Sequence, residues 1–209
     1  MSAGAARYDA VVFDLLTALL DSWKLWNDVA GSEEAGMRWR RKYLEITYGC
    51  GAYRSYASLV EEAAVAAGHP ASLAQDLVAR WQELEPWPEV PAVLAELGKR
   101  VPLGVATNCS AVLGAQAALR TGGAFKAVIT AEVAGFYKPR AEPYRAVLAA
   151  LGTSPARTLF VAGSASDVPG AQGVGMPVFW HNRIGLAPVG STNPEFSARS
   201  LAPLLDIVH

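Results

Sequence analysis

The sequence predicts an α/β protein with a parallel-sheet core and a helical cap inserted after the first strand. Three observations support this fold class. A short apolar run at residues 10–13 ends at Asp14, strands alternate with helices from about residue 90 onward, and the stretch between has only helical patterns. Such alternation is typical of parallel sheets with right-handed crossovers. We therefore predict a core of residues 1–20 and 87–209 and a cap of residues 21–86.

The first strand reads AVVF, an apolar run typical of a strand that is buried on both faces. Helical patterns then cover residues 37–47, 55–67 and 72–84, and segments rich in glycine and proline separate them. Aromatic side chains are concentrated in this stretch: Trp23, Trp26, Trp39, Tyr43, Tyr48, Tyr53, Tyr56 and Trp81. The cap is therefore predicted to be all-helical and rich in aromatic residues.

The rest of the chain alternates between helices and strands. Helices are predicted at residues 90–99, 111–120, 140–151, 170–175 and 200–208, and strands at residues 103–106, 127–129, 159–162 and 177–180. The Gly- and Pro-rich stretch 184–194 is predicted to be a surface loop. This arrangement indicates a Rossmann-like core.

Composition excludes several classes of function. The 209 residues are 52% hydrophobic and carry a net charge of −1, which favours neither nucleic acid nor an anionic membrane surface. No apolar run approaches the ~20 residues of a membrane span, and the N-terminus lacks the apolar region of a signal peptide. The two cysteines and three histidines match no metal-site spacing. We expect a cytoplasmic protein that acts on a small molecule without metal or cofactor.

Polar side chains follow the core strands at the ends where parallel sheets bind ligands. Asp14 follows the first strand, Thr107 and Asn108 follow the second, and Lys138 and Asp167 occur in later loops. Each has an ordinary alternative, as a helix cap or as a solvated loop cation. Together on one rim they favour a functional site.

This order of motifs, an aspartate after the first strand, Thr-Asn, Lys-Pro and a final Asp motif, resembles the haloacid dehalogenase superfamily over nearly the whole chain. The resemblance implies that Asp14 is a nucleophile and that Lys138 holds Asp14 and balances the substrate charge. A carboxylate nucleophile divides a difficult hydrolysis into ester formation and ester cleavage, and an adjacent ammonium keeps it ionised. Asp167 can hold Lys138 or position water for the second step.

Two departures argue against the phosphatase branch of this superfamily. Phosphatases usually carry an acid two positions after the nucleophile, where this chain has Leu16. They also carry a Mg²⁺-binding aspartate in the last motif, where this chain has Gly163.

The cap favours another branch, because MRWRRKYLEITY at residues 37–48 resembles the first cap helix of the L-2-haloacid dehalogenases. That likeness implies that Arg40 meets the halide or the substrate carboxylate. Arg40 can share a helix face with Leu44 and Tyr48, although a solvated cationic face is the alternative. Tyr144 follows Lys138 at the spacing of a dehalogenase active-site tyrosine, and its alternative is a packed helix tyrosine. The segment FWHNR at residues 179–183 resembles a family motif that is mainly structural.

The chain also departs from the dehalogenases. Their first motif reads Asp-x-Tyr-Gly-Thr, whereas this chain has Leu16 in place of the tyrosine and Thr17-Ala18 in place of Gly-Thr, which displaces the hydroxyl. Their last motif reads Ser-Asn-Ala-Trp-Asp, whereas this chain has Ser164 and Ser166 in place of the asparagine and tryptophan. Ser164 can still hydrogen-bond a water, but the pocket must have a different shape.

The sequence therefore predicts a metal-independent hydrolase of the 2-haloacid dehalogenase type, with Asp14, Lys138 and Asp167 as catalytic residues. The predicted substrate-binding residues are Leu15, Leu16, Arg40, Thr107, Asn108, Tyr144 and Ser164. Arg40 and Asn108 are assigned to the departing halide, and Thr107 with the backbone N–H groups of Leu15 and Leu16 to the carboxylate.

Two alternatives stay open: a phosphatase acting on a small phosphate ester, and a non-catalytic binding protein on a decayed hydrolase scaffold. The aromatic cap is compatible with a homodimer, but no residue decides the oligomeric state.

Overall fold

One sheet of six parallel strands organises the residues that the computed structural model describes, 7–191 and 193–208. In chain order the strands are β1 (Ala10–Phe13), β2 (Leu103–Thr107), β3 (Ala127–Thr130), β4 (Thr158–Ala162), β5 (Val178–His181) and β6 (Phe196–Ala198). Their spatial order is β3-β2-β1-β4-β5-β6, and each neighbouring pair is parallel. The predicted Rossmann-like α/β class is confirmed.

The helices in chain order are α1 (Ser22–Ala30), α2 (Glu33–Gly49), α3 (Tyr56–Ala66), α4 (Leu73–Ala79), α5 (Val90–Leu97), α6 (Ala111–Arg120), α7 (Ala131–Ala134), α8 (Ala141–Leu151), α9 (Asp167–Gln172) and α10 (Leu204–Ile207). Short 3₁₀ turns follow α4 at Trp81–Glu83 and α8 at Pro155–Arg157. Helices α1 to α4 all lie in the stretch predicted as the cap. The division of the chain into core and cap stays a prediction.

The structure corrects several element boundaries. Strand β6 is absent from the sequence prediction because a three-residue, half-buried edge strand has no apolar run. Helix α4 ends at Ala79, earlier than predicted, and α10 covers only Leu204–Ile207. Helix α9 begins at Asp167 rather than at residue 170, so this aspartate lies in the first turn. The described residues of the predicted loop 184–194 form neither helix nor strand.

Helix α1 is also absent from the prediction, although its ends have clear capping signals. The Asp21 side chain accepts a hydrogen bond from the Lys24 backbone N–H at 3.1 Å, which caps the start of the helix. Gly31 has a left-handed φ of 84° and ends it. The apolar stretch from Leu15 to Leu20 ends only one residue before α1, so the apolar pattern does not separate the helix from the loop before it.

A row of aromatic rings fills the space between α1, α2 and α3. The ring centroids of Trp26 and Trp39 are 4.6 Å apart, those of Trp26 and Tyr43 5.5 Å apart, and those of Tyr43 and Tyr56 5.6 Å apart. Trp81 continues the row, and its Nε1–H donates to the Leu113 carbonyl of α6 at 2.9 Å. These large side chains bury apolar area, and the polar atoms of Trp39, Tyr43 and Trp81 reach backbone carbonyls, whereas the buried Tyr56 hydroxyl has no partner among the described residues.

Two chain segments connect this helical stretch to the sheet, and they run antiparallel beside each other. Leu20 and Pro86 form an isolated bridge. Backbone hydrogen bonds join Asp21 N–H to the Glu85 carbonyl at 2.8 Å and Trp87 N–H to the Leu19 carbonyl at 3.1 Å. The paired segments coincide with the predicted boundaries at residues 20 and 87.

The strand register brings the candidate site residues to one edge of the sheet. Phe13, the last residue of β1, pairs with Val105 of β2 on one side and Val161 of β4 on the other. The residues that follow these strands therefore leave the sheet close together.

Among the described helices, none has the length and hydropathy needed to cross a membrane.

Candidate active site

Asp14 is buried at the end of β1, and both of its carboxylate oxygens accept hydrogen bonds. Oδ1 lies 2.8 Å from the Lys138 Nζ. Oδ2 accepts from the Thr17 hydroxyl at 2.5 Å, the Thr17 N–H at 2.9 Å and the Ala18 N–H at 3.2 Å. Burial opposes ionisation, but the Lys138 charge and the Lys138 and Thr17 hydrogen bonds outweigh it and lower the pKa of Asp14. The carboxylate is therefore held ionised and oriented.

Lys138 joins two carboxylates beneath the rim of the sheet. Its Nζ donates to Asp14 at 2.8 Å and to Asp167 Oδ2 at 2.9 Å, and its side chain is almost completely buried. Burial alone would lower the pKa of Lys138, but the charges of Asp14 and Asp167 raise it above its usual value. The Asn108 side chain fixes the Lys138 backbone, because its Nδ2 donates to the Lys138 carbonyl at 2.9 Å and its Oδ1 accepts from the Lys138 N–H at 2.7 Å.

Asp167 is the second buried carboxylate, and its environment differs from that of Asp14. Burial is the largest effect and raises the pKa of Asp167 to about 6, although Lys138 opposes the rise. The Tyr144 hydroxyl donates to Asp167 Oδ1 at 3.2 Å. Tyr144 itself is fully buried against Phe160, with ring centroids 5.1 Å apart, so it contacts Asp167 from below. Two adjacent carboxylates with pKa values moved in opposite directions are typical of acid–base sites.

A small compartment of about 40 Å³ lies over Asp14. Its walls contain four of the predicted substrate-binding residues: Leu16, Arg40, Asn108 and Ser164. Thr107 is completely buried, and its Oγ1 accepts a contact from the Cys109 Sγ at 3.9 Å. Its hydroxyl therefore supports the turn that carries Asn108 and does not line the compartment. The Leu15 side chain packs in the hydrophobic core, so only its backbone is available to a ligand.

The backbone N–H groups of Leu15 and Leu16 donate no hydrogen bond to any described residue. Their carbonyls, in contrast, are used within the same loop: Leu15 accepts from the Leu19 and Leu20 N–H groups, and Leu16 accepts from Ser22. Buried or half-buried N–H groups usually find a partner. These two donors are therefore suited to binding an anion, and Leu16 also lines the compartment over Asp14.

Arg40 reaches the compartment from α2. Its guanidinium carbon lies 4.0 Å from the Trp23 ring centroid, and its Nη1 donates to the Ser22 hydroxyl at 2.9 Å. No carboxylate of the described residues lies within ion-pair distance of Arg40, whereas its neighbours Arg38 and Lys42 pair with Glu34 and Glu45. Burial lowers the pKa of Arg40, with the Asp14 charge among the effects that oppose this. Arg40 is therefore a half-buried cation with an open capacity for an anion.

The structure adds four residues to the walls that the sequence prediction did not assign: Thr17, Tyr43, Leu44 and Tyr48. Leu44 and Tyr48 follow Arg40 at intervals of four residues, and this spacing is the signal that could have identified them. The Tyr43 hydroxyl donates to the Asn108 carbonyl at 3.0 Å, a contact between residues 65 positions apart that no local pattern indicates. The family motif has its threonine one position later, at residue 18. The Thr17 hydroxyl nevertheless reaches the Asp14 carboxylate.

Gly163 allows the last motif to pass close to the loop after Asp14. A Cβ atom at Gly163 would lie 2.3 Å from the Ala18 nitrogen and 2.4 Å from the Thr17 carbonyl carbon and Oγ1. Backbone atoms at that distance leave no room for a side chain. A metal-binding carboxylate at residue 163 is therefore incompatible with this loop, and the described residues contain no cluster of three or more His, Cys, Asp or Glu suited to a metal ion.

Two further side chains bind the backbone carbonyls of the loop that follows Asp14. Trp87 Nε1–H donates to the Thr17 carbonyl at 3.2 Å, and the His181 Nδ1 contacts the Ala18 carbonyl at 2.8 Å. Because a carbonyl only accepts, His181 carries its proton on Nδ1. Burial lowers the pKa of His181, which keeps the ring neutral. These contacts explain why the Thr17 and Ala18 N–H groups face Asp14.

Fold and site together define an α/β hydrolase with a buried carboxylate–lysine–carboxylate cluster at the end of its first strand. The sequence model of the haloacid dehalogenase-like hydrolase family matches residues 8–175, and the chain belongs to that family. The motif resemblance is thereby confirmed.

Two characterised relatives match nearly the whole chain. The chain is 28% identical to haloacetate dehalogenase H-2 of Moraxella sp. (strain B), with 97% of both proteins covered. It is 30% identical to the (S)-2-haloacid dehalogenase of Xanthobacter autotrophicus, with 93% of this chain and 82% of that protein covered. The solved structure of L-2-haloacid dehalogenase from Xanthobacter autotrophicus shares the fold, with a TM-score of 0.84, 24% identity and coverage of 96% and 98% of the two chains.

Proposed function

We propose that this hydrolase removes halide from small 2-haloalkanoic acids, with Asp14 as the nucleophile and without a metal ion. One observation carries the proposal: an ionised, oriented carboxylate faces a compartment lined by Arg40, which has no carboxylate partner among the described residues, and by Leu16, whose backbone N–H donates to no described residue. Such a compartment suits a substrate that brings a carboxylate and releases a halide. The named activities of the two relatives agree with this assignment.

The first step would be a displacement at the carbon that carries the halogen. An Asp14 oxygen forms the new C–O bond while the C–halogen bond breaks and its electron pair leaves with the halide. Arg40 and the remaining Nδ2 hydrogen of Asn108 stabilise the departing halide, because they place donors where negative charge develops. The N–H groups of Leu15 and Leu16 hold the substrate carboxylate. Thr107, buried below, supports Asn108.

The second step would cleave the aspartyl ester. Water adds to the Asp14 carbonyl carbon, the ester C–O bond breaks, and the 2-hydroxy acid leaves, so that one Asp14 oxygen now comes from water. Asp167, with its pKa of about 6, is ionised at neutral pH and can accept one proton of that water and pass it to the departing alkoxide oxygen, while the other proton is released to solvent as Asp14 ionises again. Ser164 lies in the wall beside Asp167 and can position the water. Lys138 balances the charge of Asp14 in both steps.

Halide release tests the proposal. The purified protein is incubated with chloroacetate and with each enantiomer of 2-chloropropionate in the presence of EDTA. We expect release that survives EDTA and is lost in Asp14→Asn. Asp9→Asn is the matched control, because Asp9 is an exposed carboxylate that pairs with Arg157 on the surface.

Other outcomes separate the alternatives. Hydrolysis of a phosphate ester that requires Mg²⁺, without halide release, would replace the proposal with the phosphatase. Silence in both assays would favour a binding protein. The absence of an acid at Leu16 and the lack of space at Gly163 both weigh against the phosphatase.

A further inference from the structure

An apolar hollow, which we call the side groove, lies beside the compartment over Asp14. Its volume of about 200 Å³ is several times the 40 Å³ available over Asp14. Trp23 and Met37 form one wall, and Ser166, Leu186 and Ala187 form the other. The side groove therefore lies between the first two helices and the loop that follows β5.

The side groove adjoins the compartment over Asp14 and shares part of its lining. Arg40, Leu44 and Ser164 line both spaces and form the boundary between them. The charged side chains that line the side groove are Arg40 and Arg41, and its walls contain no carboxylate. The Arg40 guanidinium is stacked on Trp23, so its charge stays at the boundary while the space beyond is apolar. Away from the two arginines, the side groove therefore offers apolar surface to a tail that extends from a molecule held by Arg40.

Ser166 keeps this hollow open. It precedes α9, but its side chain makes no capping hydrogen bond, so the hydroxyl is not needed to begin the helix. Burial raises the pKa of Tyr48, and the Ser166 and Ser164 hydroxyls oppose that rise, which places these small side chains near the Tyr48 ring. The dehalogenase motif has a tryptophan at this position, and an indole here would occupy space that the serine leaves empty.

We propose that the side groove binds the apolar tail of the substrate, so that this enzyme prefers 2-halo acids with an extended alkyl chain. The inference rests on the proposed function, because it places carbon 2 of the substrate over Asp14. The compartment over Asp14 is the smaller of the two spaces, so an alkyl chain longer than that of 2-chloropropionate would extend past Leu44 and Ser164 into the side groove. Each buried methylene is worth a factor of about four in binding. The side groove is partly open, so we expect less than the full factor. The four methylenes that separate 2-chlorobutanoate from 2-chlorooctanoate should raise kcat/KM at least about tenfold.

The test compares kcat/KM for halide release from 2-chloropropionate, 2-chlorobutanoate, 2-chlorohexanoate and 2-chlorooctanoate. In the wild type, we expect kcat/KM to rise with chain length. Ser166→Trp should fill the side groove and lower the ratio of long-chain to short-chain kcat/KM at least about tenfold. Ser58→Trp makes the same exchange at an exposed position of α3 and should leave that ratio unchanged.

Ala187→Phe narrows the side groove independently, from the exposed loop after β5. It should also lower the ratio of long-chain to short-chain kcat/KM. It decides the test if Ser166→Trp does not fold. The inference is wrong if the wild type shows no increase with chain length, or if the folded narrowing variants keep the wild-type ratio. Absence of halide release from every substrate would instead overturn the proposed function, so the two failures are distinguishable.

Discussion

Replacing Lys138 with methionine tests the electrostatic account of the site most directly. The substitution keeps an unbranched side chain but leaves Asp14 and Asp167 buried without the cation that each contacts at 2.8–2.9 Å. Removing one partner of a buried ion pair typically costs about 3–5 kcal/mol. We therefore expect the free energy of unfolding at pH 7 to fall by about that amount.

The pH dependence of this loss provides a stricter test. In the wild type, the pKa of Asp167 is raised to about 6, so the native state binds more protons than the unfolded state between about pH 4 and 6. Stability therefore decreases with rising pH in that window and levels off above it. Without Lys138, the pKa of both carboxyl groups rises, and the decrease continues above pH 6. At about 1.4 kcal/mol per pH unit and proton, the destabilisation should grow by about 2–3 kcal/mol between pH 6 and 8.

Urea unfolding of both proteins between pH 5 and 8 measures this difference. Lys99→Met is the matched control, because Lys99 pairs with Glu96 on the surface and should cost under about 1 kcal/mol at every pH. A loss for Lys138→Met that is small or independent of pH would refute the argument, since it would mean that the buried carboxylates do not depend on the lysine charge.

Four further predictions follow from the same geometry. Thr17→Val removes the 2.5 Å hydrogen bond to Asp14 and should lower kcat/KM for halide release about 10–100-fold, measured beside Thr153→Val as a control. Gly163→Ala places a methyl group 2.3–2.4 Å from backbone atoms and should lower the free energy of unfolding by about 1–3 kcal/mol in urea; an unchanged midpoint would show that the loop can move. Arg40→Met should abolish measurable halide release but change the unfolding free energy by less than about 1 kcal/mol, because relief of desolvation offsets the lost contact with Trp23. The kcat for 2-chloropropionate should fall as pH drops below about 6, because Asp167 becomes protonated and ester cleavage slows, and a flat kcat profile down to pH 5 would exclude Asp167 as the base.

The cations of α2 illustrate what could not be predicted from the sequence. The letters RWRRK place several positive charges on one helix, and the 3.6-residue period predicts that Arg40 shares a face with Leu44 and Tyr48. Which cation enters the site depends on contacts with another helix, because the ion pairs of Arg38 and Lys42 are made within α2 itself. Trp23 and Ser22 of α1 hold Arg40, whereas Glu34 and Glu45 draw Arg38 and Lys42 to the surface.

The sequence by itself determined the fold class and the chemistry of the strand ends. An apolar run that ends in an aspartate, and strands that alternate with helices, follow from local patterns of burial and periodicity, and those patterns lie in consecutive residues. For the same reason the order of Asp14, Asn108, Lys138 and Asp167 could be read along the chain. A short edge strand such as β6 has no comparable pattern.

Only the tertiary structure decided how the site is built in detail. The contact of Tyr43 with Asn108, the reach of the Thr17 hydroxyl to Asp14 and the clearance at Gly163 all depend on atoms brought together from separate elements. Differences below 1 Å decide whether a hydrogen bond forms or a side chain fits, and no periodic pattern specifies distances at that scale. The same holds for the side groove, whose walls come from segments more than a hundred residues apart.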